Sequence, residues 1–189
     1  MLQVRTLLSL GAAQGKNTVW SQIEDIFFES SVRKTFASDD ERRAFKFKYL
    51  DWYAEQHPEC FFVALGNDKK VQGYICGTPQ TMEVSQLNAW HPWYSQFTEL
   101  IPQFPAHLHI NCSADARGMG MGSTLLSVFE NYLRGLGCTG VHLITAPDAR
   151  NVGFYDRNGY KFQQLAPWMT GQLLFMGKSL LSVESETPA

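Results

Sequence analysis

Apolar positions along this chain recur at two spacings, and the alternation between the two predicts its elements. Gln3 to Leu8 is short and β-rich, and a Gly11-Ala-Ala-Gln-Gly15 break follows it. From Thr18, a plausible helix cap, Trp20, Ile23, Ile26 and Phe27 fall at helical spacing. A second helix is expected from Ser38-Asp39-Asp40, with Phe45, Tyr49, Trp52 and Tyr53 on one stripe and a stop at His57-Pro58. The period then shortens. Phe61–Leu65 is an apolar run, Gly66-Asn67-Asp68 is turn chemistry, and Val71, Gly73, Ile75 and Gly77 alternate with polar positions, which predicts a hairpin.

Thr81 to Pro105 keeps no period and is rich in aromatics. A long connection of this kind is expected to pack over a site, so residues 79–106 read as a substrate-side insertion. After it come a strand from His107 to Cys112, a glycine-rich turn, and a helix from Gly122 with Leu126, Phe129, Leu133 and Leu136 on one stripe. Gly135 and Gly137 would end that helix. A buried strand Val141–Ala146, a helix Asp148–Asn158 closed by Gly159, and strands Tyr160–Leu165 and Leu173–Met176, joined across Pro167 and Gly171, complete the order. The polar tail from Ser182 is expected to fray. Strands with helices between them argue an α/β or α+β fold, with parallel pairing around the 107–146 crossover.

Composition narrows the function classes. The 189 residues suit one domain, and 44% apolar with 13% aromatic content suffices for a core. A net charge of −2 and no dense Lys/Arg run give no footprint for nucleic acid or an anionic membrane. The start of the chain lacks a secretory pattern, no apolar run approaches a membrane span, and Cys60, Cys76, Cys112 and Cys138 form no CxxC pair. Buried free thiols in the cytoplasm are therefore expected.

The turn Arg117-Gly-Met-Gly-Met-Gly122 has alternate glycines ahead of a helix, an arrangement that can aim backbone N–H groups at a phosphate. A nucleotide P-loop needs a Lys after its last glycine, and Ser123 stands there. A Rossmann turn needs a further glycine, and Leu125 stands there. Arg117-x-x-Gly120-x-Gly122, together with Asp148, Asn151, Tyr155, Gly159 and Tyr160 downstream, resembles the two signatures of the GCN5-related N-acetyltransferases. The approach Phe104-Pro-Ala-His-Leu-His-Ile110 looks most like bacterial members related to the C-terminal domain of O-GlcNAcase. The sequence departs from the family pattern at Asp148, in place of the usual Asn, at Asn151, in place of Ala, and at Ser113–Ala116, which lacks the customary proline.

The resemblance implies a mixed, mostly antiparallel sheet with a splayed parallel strand pair and helices on both faces. It implies acetyl-CoA as co-substrate, held by the backbone of Ile110 and Cys112 and by Arg117, Gly118, Met119, Gly120, Met121, Gly122, Ser123 and Thr124, with Asp148, Asn151 and Tyr155 downstream. It makes Tyr155 the acid for the departing thiolate. It transfers no base, because Leu143 occupies the position of the acid that some members carry. His109 is the favoured candidate base, with His107, His142, Asp115, Glu83, His91 and Glu99 as others. A metal site at His107, His109 and His142 lacks an acidic or Cys ligand, so none is expected. Trp90, His91, Trp93 and Tyr94 form either an acceptor wall or a hydrophobic plug. The expected partner is a small-molecule or peptide amine, and an exposed final strand could pair with a second copy of the chain to form a homodimer. The alternative is a non-catalytic acyl-CoA-binding module of the same fold.

Overall fold

The computed structural model describes residues 3–10, 16–82 and 85–181. The Gly11–Gly15 break, Glu83 and the tail from Ser182 lie outside these residues. The chain divides into two compact units, residues 1–78 with 108–132 and residues 79–107 with 133–189. Among the described residues seven strands hydrogen-bond in the order β1 (Gln3–Thr6), β2 (Phe62–Leu65), β3 (Val71–Thr78), β4 (Ala106–Cys112), β5 (Gly140–Thr145), β7 (Gly171–Ser179) and β6 (Phe162–Trp168), and β4 and β5 are parallel.

The first unit contains β1 (Gln3–Thr6), α1 (Lys16–Ser30), α2 (Asp39–Lys46), α3 (Trp52–Gln56), β2 (Phe62–Leu65) and β3 (Val71–Thr78). To these are added residues 108–112 of β4 (Ala106–Cys112) and most of α5 (Met121–Gly135). The β2–β3 hairpin forms antiparallel as expected, with a register shift between Ala64 and Leu65. Nearly all of β3 is buried, however, so its polar-looking alternation does not mark a wet face. A Cβ on Gly73 would meet the Asn111 carbonyl oxygen at 2.8 Å, and glycine therefore lets β3 and β4 approach closely. α1 starts at Lys16, which places Thr18 inside the helix rather than at its cap.

Ser38 does cap α2, accepting a hydrogen bond from the Glu41 N–H at 3.2 Å, and three acids complement the dipole in its first turn. Between α2 and α3 the backbone takes a π turn over Phe47–Asp51, where the Trp52 N–H reaches back to the Phe47 carbonyl. The apolar stripe alone gave no sign of this turn. Such turns often mark functional sites. Ile23, Leu50, Tyr53, Phe61, Tyr74, Ile75, Leu125 and Phe129 make the interior.

The second unit contains α4 (Ser85–Trp90), the start of β4, β5 (Gly140–Thr145), α6 (Val152–Arg157), β6 (Phe162–Trp168) and β7 (Gly171–Ser179). β4 pairs with β5 at Ala106↔Val141 and His107↔His142, and β7 lies antiparallel between β5 and β6. The final strand is therefore internal, and β6 is the edge. Pro167 belongs to β6 rather than to a connection, which an edge strand tolerates. α5 ends as predicted: the Cys138 N–H donates to the Leu133 carbonyl and the Gly137 N–H to that of Arg134, with Gly137 at φ 77°. Leu136 lies beyond the helix and is half exposed, outside the stripe expected of it. Tyr94, Phe97, Ile101, Phe104, Ala166 and Phe175 form a core cluster, so the 79–106 segment supplies much of this unit's interior.

Candidate functional site

The glycine turn starts where β4 stops. Past Cys112 the Ser113 N–H donates to the Gln72 carbonyl at 3.0 Å, a 3₁₀ turn covers Ala114–Ala116, and α5 opens at Met121. Gly118 and Gly120 both sit at φ +79°, a left-handed conformation that strains any side chain. A Cβ built on either would meet no atom within 4 Å, so conformation and not crowding selects glycine here, and the space beside the turn is open. Gly122 lies inside the helix, which leaves two glycines rather than three to shape the turn.

The first N–H groups of a helix have no partner within it, and α5 has no acid in its first turn to offset their positive end. The Thr124 hydroxyl donates back to the Gly120 carbonyl at 3.2 Å. Arg117 braces the turn: its Nε donates to the Cys112 carbonyl and its terminal nitrogen to Ser30 Oγ, each at 3.2 Å. Met119 is largely exposed.

Ile110 and Cys112 are half-buried on β4. Burial pushes the Cys112 thiol up to about 11, so it is protonated at neutral pH and is no thiolate nucleophile. The alternate residues of the strand, His109 and Asn111, line a cavity of about 410 Å³ with Phe27, Phe45, Tyr49 and Arg33. Tyr53 OH and His109 Nε2 are 3.0 Å apart, and Tyr49 meets the imidazole edge-on with centroids 5.8 Å apart. Burial lowers the His109 pKa to about 4, which leaves the ring uncharged at neutral pH. Asn111 Nδ2 donates to Tyr74 OH at 2.7 Å. The involvement of Tyr49 and Tyr53 was missed in the sequence, where their i,i+4 spacing read only as a core stripe.

In the second unit Tyr155 is buried on α6, with its ring 5.4 Å from that of Tyr160. α6 is shorter than expected, because residues 147–151 form turns ahead of Val152. Asn151 stands at its start and accepts from Thr145 Oγ1 at 3.2 Å, and Asp148 is exposed.

The other candidates have varied surroundings. His107 Nδ1 lies 2.9 Å from Thr81 Oγ1, and His142 Nδ1 donates to the Phe104 carbonyl at 2.7 Å while its ring stacks on Phe175. His91 and Tyr94 are buried, and Trp93 meets Trp168 edge to face. Trp90 is half-buried, and Asp115 and Glu99 are exposed. Among the described residues no group of three or more His, Cys, Asp or Glu side chains could hold a metal ion, and no helix is long and apolar enough to cross a membrane.

A strand, a left-handed glycine turn and a helix opened without acids make a candidate anion site in an α/β protein, and comparison gives the family. A family model described as the Acetyltransferase (GNAT) family matches residues 20–160. The chain belongs to that family. Similar solved structures include SsHAT, 20% identical with a TM-score of 0.69, covering 96% of this chain and 99% of that one. A GCN5-related N-acetyltransferase from Kribbella flavida is 18% identical with a TM-score of 0.60, covering 94% and 97% of the two chains. An N-acetyltransferase from Staphylococcus aureus is 15% identical with a TM-score of 0.59, covering 96% and 99%. At these identities the likeness is one of fold.

Proposed function

We propose that this acetyltransferase moves an acetyl group from acetyl-CoA to a primary amine by direct attack, without metal or covalent enzyme intermediate. The observation that carries the reading is the turn with Gly118 and Gly120 both left-handed at the opening of α5. Its open flank and the absence of acids in the first turn fit a pyrophosphate. Backbone groups of Gly118 to Ser123 hold that pyrophosphate, and Arg117 braces the turn. The backbone of Ile110 and Cys112 pairs with the pantetheine amides and the acetyl carbonyl.

The amine nitrogen bonds to the carbonyl carbon and the C–S bond breaks. The nitrogen becomes more acidic once it has attacked, and neutral His109 then accepts its proton, directly or through one water. Tyr155 gives its proton to the departing thiolate.

Release of CoA thiol over a panel of amines, run beside calorimetric titration with CoA, tests the proposal. Binding with turnover on at least one amine is expected. CoA binding with no turnover on any amine would make the chain a non-catalytic acyl-CoA-binding module. Tyr155→Phe should lower kcat about 10- to 100-fold, a range typical of losing an acid, while CoA affinity stays within about twofold. An unchanged kcat removes Tyr155 from the reaction.

A further inference from the structure

The cavity between the end of α1, the π turn and β4 has an unusual charge balance for a site that receives amines. Its walls are aromatic: Phe27 and Phe45 have centroids 5.6 Å apart, and Phe45 and Tyr49 4.9 Å apart. Among the described lining residues none is Asp or Glu, and the charged one is Arg33, a cation. Arg33 is engaged with Glu41 at 2.5 Å and lies over the Phe36 ring. An ammonium group entering here leaves water without meeting a carboxylate. What it gains over an aromatic face is smaller than the desolvation of an unpaired charge. An uncharged amine incurs no such penalty, and its flat apolar body matches the ring walls.

The polar groups agree with this. Asn111 commits its Nδ2 to Tyr74, which leaves the amide oxygen as the end that accepts from an N–H. Burial makes His109 a weak base, too weak to strip an ammonium before attack but able to take the proton of a nitrogen that attack has made more acidic.

We infer that the acceptor is a weakly basic amine, uncharged when it arrives, carried on an aromatic or flat apolar group and seated against Phe27, Phe45 and Tyr49. This deepens the acetyl-transfer reading and rests on it. The bonds exchanged are unchanged: N–C forms, C–S breaks, the nitrogen's proton goes to His109, and the thiolate takes one from Tyr155.

The test compares an aniline, phenethylamine, spermidine, glucosamine and a lysine peptide as acceptors at pH 7, read as kcat/KM by CoA thiol release. Ligand-observed NMR on the full chain without acetyl-CoA accompanies it. The aniline is expected to exceed every charged amine at least about tenfold and to be flat with pH. The phenethylamine rate should rise about tenfold per pH unit, as its uncharged fraction does. Asn111→Asp, nearly isosteric, puts a carboxylate in the cavity and should shift the ratio at least about tenfold toward the charged amines. Spermidine, glucosamine or the peptide outpacing the aniline at pH 7, or a ratio unmoved by Asn111→Asp, overturns the inference and leaves acetyl transfer standing. Aniline seen bound by NMR with no thiol released from any amine overturns acetyl transfer and keeps the ligand class. Neither binding nor turnover overturns both.

Discussion

His107 and His109 stand two residues apart on β4, and their surroundings have little in common. His107 is buried beside Thr81, opposite His142, in a unit whose interior is filled by Tyr94, Phe104 and Phe175. His109 is half-buried, hydrogen-bonded to Tyr53, and lines an aromatic cavity. The first half of the strand holds its histidine by saturating it with neighbours, and the second leaves one face of its histidine toward space. On the proposed function, a strand that passes from a closed core to an open cavity uses one residue type for packing and for proton transfer. What decides the role is the packing that meets each side chain.

The comparison breaks most sharply if the two regions respond alike to truncation. Phe175 is fully buried between Phe97 and Phe104, so Phe175→Ala should cost about 3–5 kcal/mol in urea unfolding. Tyr49 is half-buried at the cavity, and Tyr49→Ala should cost less than about 1.5 kcal/mol. Its effect should appear instead in KM for the acceptor. Equal stability losses would mean that the cavity is part of the core.

Much of the first unit could be read in the sequence because its signals are local. Ser38 followed by three acids specifies a cap, Gly66-Asn67-Asp68 specifies a turn, and Arg117 to Gly122 specifies a strand-to-helix junction with required backbone angles. The π turn at Phe47–Asp51 was not legible, because an apolar stripe constrains which face is buried more than it constrains the hydrogen-bond ladder beneath it. The Tyr53–His109 bond joins residues 56 apart and depends on tertiary contact alone. The 79–106 segment shows the same limit: its aromatics announced burial, but only the fold gave Phe104 and Phe175 to each other.

A pH series sharpens the comparison at His109. Its folded pKa is about 4 against 6.5 for a free ring, so between these values the unfolded chain holds a proton that the folded chain lacks. Stability is therefore flat above pH 6.5 and falls as the pH drops toward 4, by roughly 2 kcal/mol for a half-buried ring. His109→Gln should flatten that slope and lower kcat about 10- to 100-fold. The wild-type pH–rate profile should also lack a histidine limb between pH 6 and 8. A limb near 6.5 that His109→Gln abolishes would show an ordinary solvated imidazole and undo the contrast with His107.

The smallest effect is expected at Thr81, whose hydroxyl donates to the Pro105 carbonyl at 2.7 Å and lies 2.9 Å from His107 Nδ1. Thr81→Val keeps the shape and removes both side-chain bonds; the Pro105 carbonyl keeps the backbone N–H of residue 81 at 2.9 Å, while the His107 nitrogen loses its hydroxyl neighbour in a buried place. A loss of about 1–2 kcal/mol in urea unfolding follows, with kcat/KM unchanged to within about twofold. Because the segment that bears Thr81 reads from sequence as a substrate-side insertion, an altered KM with undiminished stability would return Thr81 and His107 to the acceptor's surroundings. Loss of stability alone assigns them to holding the start of β4, so that its far half can present His109.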